Sequence, residues 1–302
     1  MPLLILSLLL IATQASDSTL QTRVEARIVR TPARAVGVYY RDLAGRDSLT
    51  VGAAARFHAA STMKLPVMIQ LFRDRDAGRL SLDDSITVTN TFRSIVDSSP
   101  YQLDLTDDSD SSLYKRVGQR VSIRDLIELM ETVSSNLATN LLIAKVGAQR
   151  ANATAHLLGA DSILVLRGVE DGKAYRAGLN NTTTARDLGI LLAAIANVRA
   201  ASGGSCRDML DILGRQQFNE GIPAGLPPGT RVHHKTGWIE KVVYHDAALV
   251  QPPGDSRGYV LVVLTAGIQK NDDAYALVRD LSRIVYESRT RDQSTGRTGG
   301  EQ

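Results

Sequence analysis

The sequence predicts an α+β fold, an α/β sandwich: one antiparallel sheet flanked by helices and built from both termini, with an all-helical lobe inserted in its middle. Three observations predict it. Strand-like runs lie near both ends, at residues 35–42, 48–51, 231–234, 242–251 and 259–265. Between them, residues 61–201 carry mostly helical periodicity. The chain has 302 residues, 43% hydrophobic and 22% charged, enough to bury a sizeable core.

Taken in order, residues 3–12 form an uncharged apolar run followed by Thr13-Gln14-Ala15. This reads as a secretory leader removed after Ala15, although a basic start is missing. It implies a periplasmic or secreted protein; an N-terminal core helix is the alternative. The run is too short to span a bilayer, and no later segment does better. Residues 20–30 read as a helix with Val24, Ile28 and Val29 on one side. Residues 35–42 and 48–51 read as a hairpin around Ala44-Gly45-Arg46-Asp47. Ser122 and Asp125 open a helix with Ile123, Leu126, Ile127 and Met130 inward. Residues 137–146 and 184–195 continue as helices. After the C-terminal strands, residues 274–287 form an amphipathic helix with Leu277, Leu281, Ile284 and Val285 on one stripe. Residues 289–302 are polar and Gly-rich and read as disordered. The division expected is a leader over 1–15, a sheet lobe over 16–58 plus 206–288, a helical lobe over 59–205, and the tail.

The net charge of +3 is small and scattered among acids, so no nucleic-acid surface is indicated. Cys206 is the only cysteine, which excludes an internal disulfide and any thiolate metal cluster. It reads as a packed thiol, even with five histidines present. No metal or cofactor is called for.

Chemistry enters at Ser61-Thr62-Met63-Lys64. Positions three apart share a helix face, so Lys64 can reach the Ser61 hydroxyl. A serine needs an adjacent base, and a desolvated lysine beside another positive charge becomes one. Bare Ser-x-x-Lys arises by chance about once in a chain of this size. Ser112-Leu113-Tyr114-Lys115 is such a case, in an acidic run read as a surface loop; after Ser61, apolar residues 65, 67, 68, 71 and 72 follow at helical spacing. Ser134-Ser135-Asn136 and Lys235-Thr236-Gly237 complete the set. Alone, the first reads as helix caps and the second as a strand end entering a turn. Arg297-Thr298-Gly299 repeats the second pattern with no strand around it.

With these three motifs in this order, the chain resembles the serine β-lactamase and penicillin-binding protein superfamily, most closely the class A β-lactamases. Residues 182–188, Thr-Thr-Thr-Ala-Arg-Asp-Leu, are similar to the segment closing that family's omega loop. The resemblance implies a cleft between a sheet lobe and a helical lobe. It implies Ser61 as nucleophile, Lys64 as general base and Ser134 as proton shuttle to the departing ring nitrogen. Asn136 would bind the substrate's side-chain amide, and Lys235, Thr236 and Gly237 its carboxylate end. The backbone N–H groups of Ser61 and Trp238 would hold the oxyanion.

The family activates its hydrolytic water with a glutamate in Glu-x-x-Leu-Asn spacing. Here residues 167–175 read Arg-Gly-Val-Glu-Asp-Gly-Lys-Ala-Tyr, and Leu179-Asn180 comes later. Glu170 is the candidate deacylation base; its alternative is a surface ion pair with Lys173 or Arg167. Ser135 replaces the family's usual Asp and is expected to give structural support. Residues 94–115 look expanded: they either overhang the cleft, with Tyr101 or Tyr114 near its mouth, or form a solvated loop, and the loop is the reading preferred. The resemblance therefore implies a secreted, monomeric hydrolase that opens β-lactam rings through an acyl-enzyme, with antibiotic resistance or β-lactam catabolism as its setting. Two alternatives stand: a DD-peptidase or esterase acting on another peptidoglycan-like acyl substrate, and a penicillin-binding acyl-trap or sensor without turnover.

Overall fold

A computed structural model of the chain describes residues 19–297 apart from Arg46. The expected leader at residues 1–15 lies outside the described residues. Five antiparallel strands form the main sheet: β1 (Ala35–Asp42), β2 (Ser48–Val51), β3 (Arg231–Ile239), β4 (Val243–Gln251) and β5 (Tyr259–Ala266), in the order β2-β1-β5-β4-β3. The N-terminal β1 pairs with the C-terminal β5 from Ala35↔Ala266 to Asp42↔Tyr259, so both termini build one sheet as expected. β5 is buried along its whole length, because helices cover both faces; an unbroken apolar run is the sequence form of such a strand.

Side chains alternate between two cores. Val38, Tyr40, Leu261 and Val263 meet α1 (Leu20–Val29) and α9 (Asn271–Arg297), which present Val24, Leu277, Leu281 and Val285. Tyr39, Val260, Val262 and Leu264 belong to the larger core shared with the helical body. That body comprises α2 (Lys64–Asp76), α3 (Ile123–Thr132), α4 (Asn136–Val146), α5 (Ala148–Leu157), the short α6 (Gly172–Arg176), α7 (Ala185–Ala196) and α8 (Gly203–Leu213). α7 lies against the sheet, and a Cβ on its Gly189 would overlap the Tyr39 ring. From Leu65 to Phe72, α2 is apolar nearly all round and is buried, as such a stretch of helix must be.

Several boundaries differ from expectation. Val29 is 83% exposed, because it sits well off the stripe that Val24 and Ile28 share. α9 continues to Arg297, and its Arg289 is buried in ion pairs with Asp42 (2.8 Å) and Asp255, so the expected tail does not begin at residue 289. α8, with Cys206 and Met209, packs into the larger core that the sheet and the helical body share. Residues 94–115 are not a free solvated loop. Phe92–Arg93 pairs with Pro100–Tyr101, Leu113 is fully buried, and Asp108 bonds the first turn of α4. Ser112 itself is exposed, as expected.

His245 on β4 is held neutral. Its Nε2–H donates to His58 O (2.9 Å), its Nδ1 accepts from Thr265 N–H (3.3 Å), and the Phe57 ring stands edge-on at 5.9 Å. Burial pushes its pKa from 6.5 down to about 4. The folded state therefore resists a proton that the unfolded chain accepts. Stability from this residue is complete above pH 6.5 and drains as pH falls towards about 4. At about 1.4 kcal/mol per pH unit, the loss amounts to about 3 kcal/mol. Urea unfolding across that range should show it in the native protein. His245→Asn should flatten the difference, and parallel curves for the two proteins would refute the assignment.

Candidate active site

Ser61 lies in a 3-10 turn, Ala60–Met63, that leads directly into α2. The turn is strained: Ala60 has φ +44°, a left-handed value unfavourable for a residue with a Cβ. It is held by Ala60 N–H donating to His58 Nδ1 (3.1 Å) and by Thr62 donating to Ala59 O from its N–H (3.1 Å) and its hydroxyl (2.6 Å). Such over-determined strain is a mark of functional positions. Ser61 lines a cleft of about 620 Å³ together with His58, Asn136, Glu170, Tyr175 and Trp238.

Lys64 is wholly buried beneath that cleft. Its Nζ donates to Ser134 O (2.6 Å), Ser134 Oγ (3.1 Å) and Asn136 Oδ1 (3.2 Å). All three bonds cross to the far wall, and none goes to Ser61. Lys235 Nζ, also wholly buried, donates to the same Ser134 Oγ (3.0 Å) and to Thr236 O (2.9 Å). Two amines and one hydroxyl thus share one pocket. Burial and then the charge of Lys235 hold Lys64 well below the ordinary lysine range, the condition under which an amine serves as a base at neutral pH.

The far wall is the junction of α3 and α4. Ser134 takes a left-handed turn (φ +59°) between them, and Ser135, not its neighbours, caps α4 by accepting from Ala138 N–H (3.3 Å). Ser135 thereby gives the structural support expected of it, and leaves the side chains of Ser134 and Asn136 free for the cleft. The Asp108 carboxylate accepts from the N–H groups of Asn136 and Leu137 (2.9 Å each), and Tyr114 O–H donates to it (3.0 Å).

Lys235, Thr236 and Gly237 lie inside β3 rather than at a strand end, because the strand runs on to Ile239. β3 is the sheet's edge, and its free side faces the Ser61 turn. A Cβ on Gly237 would come within 2.9 Å of the backbone nitrogens of both Ser61 and Thr62. Only glycine permits that approach. In Gly237→Ala the strand and the turn must separate, and displacements of this kind cost about a hundredfold in rate. A chromogenic cephalosporin assay should show a fall in kcat/KM of that order with little change in melting temperature; unchanged kcat/KM would remove Gly237 from the site's construction. Thr236 does not join the cluster. It lies on the opposite face of β3 from Lys235, beside a small cavity walled by Phe218, Trp238, Tyr244 and Tyr275, and its buried hydroxyl has no partner among the described residues.

Glu170 stands in the cleft, at a left-handed backbone position (φ +61°). One oxygen accepts from Asn136 Nδ2 (2.9 Å), the other from Asp104 N–H (2.9 Å). Neither alternative cation pairs with it. Lys173 turns away to Asp97 (2.7 Å), and Arg167 is taken by Leu179 O, Gly168 O and Asn180 Oδ1 (3.0 Å each). Burial raises the Glu170 pKa, while the bonds from Asp104 and Asn136 oppose the rise. Asn140 fixes the preceding residue, accepting from Val169 N–H (2.7 Å) and donating to Val169 O (3.0 Å).

Asp104, Asp108 and Asn140 support the site and were not foreseen. The two aspartates sit in a Ser/Asp-rich stretch whose composition reads as solvated, and only the fold shows the Asp108 carboxylate and the Asp104 N–H turned toward the site. Among the described residues no group of three or more His, Cys, Asp or Glu is arranged to hold a metal ion.

Comparison with known proteins agrees with this geometry. A family model described as the beta-lactamase enzyme family matches residues 19–288. Beta-lactamase 1 of Streptomyces cacaoi is 26% identical over 265 residues, 83% of this chain and 78% of that protein. The structure of PBP-A is similar at 29% identity and TM-score 0.77, covering 90% of this chain and 96% of that one. An ancestral class A beta-lactamase aligns at 25% identity and TM-score 0.77, covering 89% and 100%. With nearly all of its described length matched, the chain belongs to the beta-lactamase enzyme family.

Proposed function

We propose that the protein is a serine β-lactamase that opens β-lactam rings through an acyl-enzyme and hydrolyses that intermediate itself. Ser61 Oγ attacks the amide carbonyl and its proton passes to neutral Lys64. The N–H groups of Ser61 and Trp238 hold the oxyanion, each lowering the barrier by about 3 kcal/mol. As the C–N bond breaks, the proton returns from Lys64 through Ser134 Oγ to the ring nitrogen. Lys235 meets the substrate carboxylate, and Asn136 the side-chain amide. Glu170 then takes a proton from water, whose oxygen attacks the ester; the bond from the carbonyl carbon to Ser61 Oγ breaks, and the proton held by Glu170 passes to that oxygen, restoring the Ser61 hydroxyl and the carboxylate.

The observation that carries this reading is Glu170: its carboxylate lies in the nucleophile's cleft, bonded to Asn136, which Lys64 also bonds. An intact-mass time course with penicillin tests it. A one-equivalent adduct that appears and then clears, with product accumulating, is the expected result; no adduct and no product would end it. PBP-A favours a second reading, since a variant of that protein forms an acyl-enzyme complex with penicillin G and is 30% identical to this chain. On that reading Ser61 is a penicillin trap or a peptidase nucleophile, and a persistent adduct without turnover is its outcome. The apolar run at residues 3–12 supports export, and a mature protein beginning at Ser16 is the expected N-terminus.

A further inference from the structure

Glu131, at the end of α3, is fully buried, and neither of its carboxylate oxygens has a hydrogen-bond partner among the described residues. An isolated buried carboxylate without bonds is among the costliest arrangements in a protein. The mechanism above makes no use of it. Three residues further along the chain is Ser134, whose hydroxyl receives bonds from both Lys64 and Lys235. The charges that act on Glu131 are those two amines, one from α2 and one from β3.

We propose that Glu131 is a positioning residue for this site: the buried counter-charge of the Lys64–Lys235 pair, which sets how many protons the two amines hold and so keeps Lys235 cationic while Lys64 serves as the base. Two ammonium groups sharing one hydroxyl repel each other, and burial further disfavours both charges. Glu131 offsets this from below the cleft, where no substrate can displace it. Lys64 also faces Asp108 and Glu170, which belong to the cleft wall. Lys235 also feels the charge of Asp246 on β4, which lies across from Thr236 on the opposite face of the sheet. Asp246 already accepts bonds from His234 Nδ1–H (2.9 Å) and Ile222 N–H (2.8 Å). On the α8 side the neighbour is neutral: the Gln216 amide donates to the backbone carbonyl of Glu131 (2.6 Å). Among the described residues Glu131 alone of these carboxylates has no competing bond, and burial raises its own pKa while the two lysines oppose the rise.

Removing the charge should lower the proton affinity of both amines. In Glu131→Gln, Lys64 becomes a free base at lower pH, and Lys235 loses its proton at lower pH. Both limbs of the acylation profile therefore move towards acid, by about one pH unit or more. The alkaline limb should appear mainly in KM, because Lys235 binds the substrate's anionic end.

Lysine side-chain NMR titration of the native protein and Glu131→Gln, with pH profiles of penicillin acylation measured alongside, tests this. Lys64 and Lys235 resonances that titrate at lower pH in the variant, with both kinetic limbs displaced the same way, are the expected result. Unmoved lysine titrations in a folded Glu131→Gln would overturn it, as would a uniform loss of rate with an unchanged profile, the mark of a packing role. The kinetic arm rests on the acyl-transfer reading; the NMR arm does not. If the native protein is never acylated, that reading fails and the lysine titrations alone decide. If the variant does not fold, the Glu131 carboxyl resonance of the native protein decides instead: a carboxylate still ionised at neutral pH supports the proposal, and one that has taken up its proton there would overturn it.

Discussion

In Ser61→Ala, the penicilloyl mass adduct should be absent, and turnover of a chromogenic cephalosporin should fall by about a millionfold, the scale set by removing a nucleophile from a serine hydrolase. The side chain that is lost lines the cleft, and its removal leaves the strained turn intact. The bonds that hold Ala60 and Thr62 come from His58 and Ala59, not from the Ser61 hydroxyl. Melting temperature should therefore change little, which separates loss of chemistry from loss of fold. Ser112→Ala, in the exposed second Ser-x-x-Lys, is the control and should acylate normally. Adduct surviving in Ser61→Ala would move the nucleophile elsewhere and sink the mechanism.

Glu170→Gln should convert a turnover enzyme into one that holds its acyl group. The amide preserves the side chain's length and leaves one oxygen to accept from Asn136 or Asp104, but it cannot take a proton from water. General-base catalysis of this kind is worth about a hundredfold to ten-thousandfold. Acylation by Ser61 and Lys64 should stay within a few-fold of native, so the adduct seen by mass spectrometry should persist. Deacylation at the native rate would remove Glu170 from the mechanism. The raised pKa of Glu170 gives the sign of the pH effect: the base works once ionised, so deacylation falls as the medium becomes acidic.

The sequence carried the fold's outline because period and order are local properties. Ile123, Leu126, Ile127 and Met130 announce α3, and strand-like runs at both ends announce a shared sheet. The cluster of Ser61, Lys64, Ser134 and Lys235 was legible because each sits in a short motif inside an element of recognisable type. What was not legible depends on contacts between distant segments. Glu170 lacks its usual local partner and is held by Asp104 and Asn136, from two other parts of the chain. Residues 94–115 read as solvated because composition does not reveal which polar groups cap a helix or clamp a loop. Glu131 did leave a trace: it follows Ile127 by four positions on the inward face of α3, a carboxylate where the stripe calls for an apolar side chain.

The pairing of β1 with β5 sets the order in which the molecule can be completed. The strand bearing Lys235 can form a hairpin with β4 as soon as both exist, but neither is anchored until residues 259–266 arrive to bridge them to the N-terminal hairpin. During synthesis, nearly the whole polypeptide must leave the ribosome before the sheet can close. A nascent chain that ends before β5 therefore has Ser61, Lys64, Ser134, Glu170 and Lys235 and no finished scaffold to align them.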